Sequence, residues 1–153
     1  MKNLIHKIVS TTPSYALLVA RLTLGLVMFP HGAQKVLGWF GGYGFSGTLG
    51  FFTGTLHVPA LLAVLVILGE FLGSLGLIVG AFSRIAALGF VAIMAGAIAM
   101  VHLGNGFFMN WSGSQKGEGF EYHLLVIGLA FVIAIAGSGK FSIDALLAKA
   151  SRD

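Results

Sequence analysis

The sequence contains no cysteine among its 153 residues. Disulfide bonds, thiol relays, cysteine-ligated zinc and iron–sulfur clusters held by this chain are therefore excluded. Charged residues are scarce as well, at 9% of the chain against roughly a quarter in soluble domains. This composition is typical of an integral membrane protein, so we expect the lipid bilayer to be a partner of the chain. We expect no cofactor held by the chain itself, so any redox chemistry must use a bound substrate or a cofactor held by a partner subunit.

Hydrophobic residues make up 57% of the chain and fall into four long runs. A helix needs about 20 apolar residues to cross a hydrocarbon core of about 30 Å, and a chain of this length has room for four such spans in one domain. The spans are expected at residues 15–37, 60–82, 85–103 and 120–137. The sequence therefore predicts an all-α integral membrane four-helix bundle that occupies residues 1–153 as a single domain.

Basic residues are unevenly distributed between the two ends of these spans. Those next to one end are Lys2, Lys7, Arg84, Lys140, Lys149 and Arg152, whereas Lys35 and Lys116 lie next to the other. Because loops that stay in the cytoplasm are enriched in lysine and arginine, we expect both termini to be cytoplasmic. The net charge of +4 is spread too thinly for a nucleic-acid surface, and no nucleic-acid partner is expected.

Two segments outside the spans have a character of their own. Residues 38–59 are rich in glycine and aromatic residues and contain no Asp, Glu, Lys or Arg. Such a segment is expected either to lie in the membrane interface, as a helix at about 48–56, or to fold over the bundle as a lid. After the fourth span, Ser142 is placed to cap a short amphipathic helix that continues to Lys149 on the cytoplasmic interface.

A single carboxylate, Glu70, lies near the middle of the second span. A charge at this depth costs roughly 3 kcal/mol and usually faces a partner inside the protein. Arg21 is the expected partner, because the helical rise places the two residues at depths that differ by about 6 Å. The pair could fix the packing of the helices or serve binding and proton transfer, and both interpretations remain open at this stage.

Further polar residues occur near the outer ends of the spans. His31 and Lys35 lie in the first span, His102 ends the third, and Glu121 and His123 begin the fourth. Glu121 and His123 are two residues apart, about 200° around a helix, so only one of them is expected to face the centre. Together these residues predict a polar chamber that opens outward. No HExxH or ExxH spacing is present, and no metal site is predicted.

Several pieces of the sequence occur in a recognisable order. They are "RLTLGLVMFPHGAQKVLGWFGG", "GEFLGSLGLIVG", Arg84, Glu121 and "GSGKFSIDALL". In this order they resemble the DoxX family of small four-span membrane proteins over nearly the whole chain. The resemblance implies a four-helix bundle in the cytoplasmic membrane of a bacterium or archaeon. It also implies a link to redox chemistry, since the namesakes of the family and the related DoxD proteins are subunits of membrane complexes that pass electrons from sulfur compounds to quinone.

Two functions of different classes fit these observations. The first is a redox-linked subunit in which the chamber binds a quinone head group, with Arg21, Lys35 or a histidine as donor and Glu70 or His102 as proton acceptor. Its expected partners are a redox subunit or a second copy of the chain. The second is a noncatalytic module for lipid or small-molecule binding, transport or complex assembly, in which the same chamber holds a lipid or another amphipathic small molecule.

Overall fold

The computed structural model describes the backbone of residues 2–151 and the side chains from Ile5 onward. Within this range every regular element is a helix and no strand occurs, so the all-α fold is confirmed. Two basic residues used to predict the orientation of the chain, Arg152 and the side chain of Lys2, lie outside the described part.

Four long helices form the body of the protein: α2 (Tyr15–Leu37), α4 (Ala60–Val79), α5 (Ser83–Ala97) and α6 (Glu121–Ala136). Helix α5 continues through a π-helical turn, Ile98–His102, and a 3-10 turn, Leu103–Asn105. Three short helices accompany them: α1 (Lys2–Val9), α3 (Gly44–Gly50) and α7 (Ile143–Ala150).

Three helices are long and apolar enough to cross a membrane: Tyr15–Leu37, Ala60–Val79 and the extended helix Ser83–Asn105. Helix α6 is equally apolar but has 16 residues, or about 24 Å at 1.5 Å per residue. Its Leu125 and Ile135 side chains are 70% and 76% exposed. Large apolar side chains directed away from the protein are typical of a helix in contact with lipid, so the four helices form a membrane bundle.

The turn between α4 and α5 is longer than the sequence pattern indicated. Helix α4 ends at Val79, three residues before the expected end of the second span, because Gly80 adopts a left-handed conformation with φ 72°. Helix α5 begins at Ser83, two residues before the expected start of the third span. Apolar residues of the turn, such as Phe82, continued the hydrophobic pattern without continuing the helix.

The four long helices form a ring in the order α2, α4, α5, α6, with α6 closing against α2. Their buried core includes residues from every member of the ring: Leu24, Met28, Leu77, Phe90, Met94, Val126 and Ile133. The contact between α2 and α4 is especially close, since a Cβ at Gly32 would lie 2.6 Å from the Cα of Phe71. A small residue at this point permits two helix backbones to touch.

A four-residue pattern, Gly-x-Phe-Ser, follows both α4 and α6, at residues 80–83 and 139–142. The glycine and phenylalanine have φ values of 72° and 50° in the first copy and 76° and 51° in the second. Each turn leads into a new helix, α5 or α7. Ser142 caps α7 by accepting a hydrogen bond from the backbone N–H of Ala145 at 3.2 Å, so the short C-terminal helix begins where the sequence predicted.

Asp144 joins this last helix to the bundle. Its carboxylate accepts hydrogen bonds from the backbone N–H groups of Phe82 and Ser83 at 2.7 and 2.9 Å. These groups lie at the start of α5, where a helix leaves its first N–H groups without internal partners and favours a negative charge. The end of the bundle that carries α1, α7 and the turn between α4 and α5 is called here the terminus end. Side chains such as Asp144 hold its segments together.

The opposite end, called here the loop end, carries residues 38–59 and 106–120. Helix α3 and the π-helical turn Phe51–Thr55 form most of the first segment, and α3 packs on α2 and α4. Of the two expected arrangements, the structure has the one in which this segment folds over the bundle. Its helix begins at Gly44 rather than near residue 48, because packing against two long helices offsets the low helix propensity of its glycines.

Candidate functional site

Arg21 does not contact Glu70. Its guanidinium group donates hydrogen bonds to the carbonyl oxygens of Leu77 and Ile78, at 2.5 and 2.7 Å, at the end of α4. Three more carbonyl acceptors belong to the segment after α6: Ser138, Lys140 and Phe141. A helix end leaves carbonyl groups without internal partners, so a buried arginine can be satisfied there without a carboxylate. The predicted Arg21–Glu70 pair is therefore wrong.

Arg84 plays the same part for α6. It donates to the carbonyl oxygens of Ala134 and Ile135, the third and second residues before the capping Gly137, and also to Ser10. Leu77 and Ile78 stand in the same positions relative to Gly80, the cap of α4. The two arginines thus close equivalent helix ends, and both act in the structure at the terminus end, away from the chamber.

The partner of Glu70 is Lys35. The Nζ atom of Lys35 lies 2.9 Å from Oε2 and 3.0 Å from Oε1 of the carboxylate. The Glu70 side chain is 3% exposed, so its charge is compensated inside the protein. Lys35 reaches it because α2 and α4 touch at Gly32 and Phe71, one turn or less from the two charged residues.

Between the four helices, the loop end contains a cavity of about 650 Å³. Most of its wall is apolar and comes from α4, α5 and a roof formed by Phe51, Phe52, Leu56 and Val58. Seven polar side chains also line it: His31, Lys35, Glu70, His102, Glu118, Tyr122 and His123. Five of these were predicted from the sequence, and the structure brings them together in one chamber.

The rings of four polar residues form a row along one side of this cavity. Ring centroids are separated by 6.0 Å between His31 and Tyr122, 5.6 Å between Tyr122 and His123, and 4.1 Å between His123 and His102. His102 has a hydrogen-bond partner, since its Nδ1 lies 2.8 Å from the carbonyl oxygen of Glu118. A row of rings with nitrogen and hydroxyl groups can bind a polar ligand through several atoms at once.

His123 stands out within this row. Its side chain is buried, at 6% exposure, and its Nδ1 atom has no hydrogen-bond partner among the described residues. An unpaired polar atom in a buried position costs free energy that folding alone does not recover. The Nδ1 atom is enclosed by protein, whereas other atoms of the His123 residue line the cavity.

Two predicted site residues do not line the cavity. Arg21 lies at the terminus end, as described above. Glu121 faces the loop, where its Oε1 atom accepts a hydrogen bond from the backbone N–H of Met109 at 3.0 Å. The expectation that only one of Glu121 and His123 faces the centre is confirmed, and that residue is His123.

Sequence reasoning missed two residues that line the cavity, Tyr122 and Glu118. Tyr122 was recognisable in principle as a hydroxyl-bearing ring beside the predicted histidine; its hydroxyl lies 3.3 Å from the sulfur of Met28. Glu118 belongs to an irregular loop, for which helical periodicity offers no signal. Within the described residues 2–151, no three His, Asp or Glu side chains come together in a way that could hold a metal ion.

The chain is similar in sequence to known proteins. Residues 16–103 match the DoxX family. The chain is 31% identical over 132 residues to the inner membrane protein YqjF of Escherichia coli (strain K12), covering 86% of this chain and 92% of that protein. It is 27% identical over 136 residues to the "Putative oxidoreductase CatD" of Bacillus subtilis (strain 168), covering 89% and 90%. No solved structure matches the chain.

Proposed function

The chain belongs to the DoxX family of prokaryotic inner membrane proteins, and we propose that it is a quinone-binding subunit of a membrane oxidoreductase. The observation that carries the proposal is the Lys35–Glu70 ion pair, together with the row of rings, on the wall of an otherwise apolar cavity. The printed name of one relative, "Putative oxidoreductase CatD", also supports a link to redox chemistry.

The cavity suits a quinone head group in size and in chemistry. Its volume of about 650 Å³ falls within the range of roughly 300–1,000 Å³ for small-molecule sites. A quinone has flat apolar faces and two carbonyl oxygens that accept hydrogen bonds. Donors on the cavity wall are the ammonium of Lys35, which bonds Glu70 and the carbonyl oxygen of His31, the hydroxyl of Tyr122, which bonds the sulfur of Met28, and the ring N–H groups of the histidines. A bound quinone exchanges some of these bonds for bonds to its carbonyl oxygens.

The same residues can exchange protons with the bound ligand. Reduction of a quinone to a quinol takes up two electrons and two protons. Glu70 and His123 are placed to donate or accept protons inside the cavity, and His102 continues the row toward the loop end. The electrons come from a partner subunit, so this chain supplies the quinone site of a larger complex.

We further propose that α6 is the fourth span and that both termini face the cytoplasm. Lys7, Lys140 and Lys149 lie at the terminus end, while Lys116 is the one lysine of the loop segments. The bias of basic residues toward the terminus end supports a cytoplasmic location for it. The cavity then lies in the outer half of the membrane.

A thermal-shift experiment tests the quinone site. The purified protein in nanodiscs is titrated with dimethoxy-methyl-benzoquinone that carries a decyl tail, and Tm is expected to rise with concentration. Glu70→Gln and Lys35→Gln should lose the shift, whereas Lys116→Gln, which removes a loop charge outside the cavity, should keep it. A wild type whose Tm does not change with quinone concentration would overturn the proposal. A phospholipid found in the purified protein would then favour the noncatalytic lipid-binding function.

A further inference from the structure

We infer that the ligand enters the cavity sideways from the hydrocarbon core, through a gap between α4 and α5, and that its apolar tail stays in this gap. The inference rests on the proposed quinone site and specifies the class of ligand: a membrane-dissolved quinone with one flexible tail. The lateral gap is the space between two facing rows of cavity-lining residues, Leu62, Leu65 and Gly69 on α4 and Gly89, Ala92 and Gly96 on α5.

The spacing of these residues shows that one face of α4 lies opposite one face of α5 across the cavity. Within each row the residues recur three or four positions apart, which places them on one side of their helix. Helices α4 and α5 are neighbours in the ring, so the space between them leads out of the bundle. The polar residues of α2 and α6, among them Lys35 and His123, line the opposite side.

The packing between the two helices loosens toward the loop end. A Cβ at Gly73 of α4 would lie 3.3 Å from the ring of Phe90 of α5. One turn closer to the loop end, at Gly69 of α4, the nearest atom to a Cβ would be a methyl group of Ile93 at 3.7 Å. At Gly89 and Gly96 of α5 a Cβ would have no neighbour within 4 Å. The glycines thus leave the gap open.

The length of the gap suits a tail. On α5 the row that borders the gap extends from Gly89 to Gly96, seven residues or about 10 Å along a helix. Leu65 of α4 is 59% exposed and Met100 is 49% exposed, so the rim is apolar and open. An apolar chain that lies here has apolar neighbours along its length, as it has among the lipid tails from which it enters.

The charges of the cavity disfavour an anionic head group. The charge of Lys35 is compensated by Glu70 at 2.9 Å, and the other charged side chain of the lining, Glu118, is a carboxylate. An anionic phospholipid head group would require a free cation, whereas a quinone requires only hydrogen-bond donors. The ring of His123 lines the cavity and adds a polar group that the head can contact. A neutral head with one tail therefore fits the cavity and the gap together.

Glycine-to-phenylalanine substitutions test the gap. Gly89→Phe and Gly96→Phe each place a ring in it, and Gly128→Phe on α6 is the matched control, because a Cβ there also has no neighbour within 4 Å and the residue does not line the cavity. Binding is measured in nanodiscs for the benzoquinone with a decyl tail and for the same ring without a tail. At least one of the two gap substitutions should weaken binding of the quinone with the decyl tail about tenfold or more. Binding of the quinone without a tail should not change, and Gly128→Phe should bind both quinones as the wild type does.

The outcomes separate this inference from the proposed function. A wild type that binds neither quinone refutes the function. If the wild type binds both quinones and neither gap substitution selectively weakens binding of the quinone with the tail, entry through the lateral gap is refuted and the proposed function stands. A measurement on the unmodified protein does not depend on the folding of the variants: a photoreactive diazirine at the end of the decyl tail should label residues of α4 and α5. Labels confined to residues 38–59 and 106–120 would overturn the inference.

Discussion

Lys35 of α2 and Glu70 of α4 form an ion pair in which one ammonium group contacts both carboxylate oxygens, at 2.9 and 3.0 Å. The pair lies on the wall of the cavity and beside the close contact of α2 with α4 at Gly32. It compensates a charge that would be costly in the membrane, and under the proposed function it also provides polar groups for the ligand.

A double-mutant cycle measures the coupling within this pair. Glu70→Gln and Lys35→Gln should each lower stability by about 2 kcal/mol, less than the roughly 3–5 kcal/mol of a fully buried pair because the Lys35 side chain is 26% exposed. The double variant should recover part of the loss. Thermal unfolding in detergent provides the values. Arg21→Gln combined with Glu70→Gln is the control, and its losses should be additive since the two residues do not touch.

The capping role of Arg21 predicts that lysine cannot replace it. Arg21→Lys keeps the charge but loses the planar fork that bonds carbonyls of α4 and of the segment after α6 at the same time. We expect a loss of at least about 2 kcal/mol in the free energy of unfolding, since buried acceptors are left unpaired. The same substitution at Arg84, which is only partly buried, should cost less. Equal losses at both positions would contradict this account.

The close contact between α2 and α4 predicts opposite effects for two glycine-to-alanine substitutions. Gly32→Ala places a Cβ 2.6 Å from the Cα of Phe71, so the helices must separate at a cost of about 1–3 kcal/mol. Gly128→Ala meets no atom within 4 Å and should stabilise α6 by up to about 1 kcal/mol through helix propensity. Unfolding temperatures show whether each substitution raises or lowers the stability of the protein. Stabilisation by both substitutions would show that α2 and α4 are not in contact at Gly32.

His123 is expected to lower stability in the free protein and to contribute to binding. Replacing it with phenylalanine removes a buried nitrogen that lacks a partner, so the unliganded protein should gain about 1 kcal/mol of stability. The same variant should lose most of the Tm shift with tailed benzoquinone. Thermal-shift assays with and without ligand measure the two effects together. An unchanged shift in a well-folded variant would remove His123 from the site.

Reporter fusions test the proposed orientation. A reporter active only in the periplasm should work when inserted within residues 112–117 at the loop end and fail when fused after the last residue. A reporter active only in the cytoplasm should show the reverse pattern. A periplasmic signal from both positions would mean that α6, with 16 residues, does not cross the membrane.

The sequence by itself determined the class of the protein and the approximate position of its helices. Hydrophobicity is a sum over neighbouring residues, so the apolar runs predicted the ends of the long helices within three residues, with the third taken as the extended helix Ser83–Asn105. Helix ends are local as well, and Ser142 marked the start of α7 correctly. Even the opposite directions of Glu121 and His123 followed from helical geometry alone.

Only the tertiary structure decided which charged residues meet. The pairing of Glu70 depends on the relative depth and rotation of two helices, and those are set by contacts such as Gly32 against Phe71 that no local pattern contains. Arg21 was predicted by depth to reach Glu70, yet its guanidinium bonds carbonyl groups of two other segments, which become acceptors only when a helix ends beside it. Side-chain partners in a bundle depend on how helices pack, and packing joins residues that are distant in sequence.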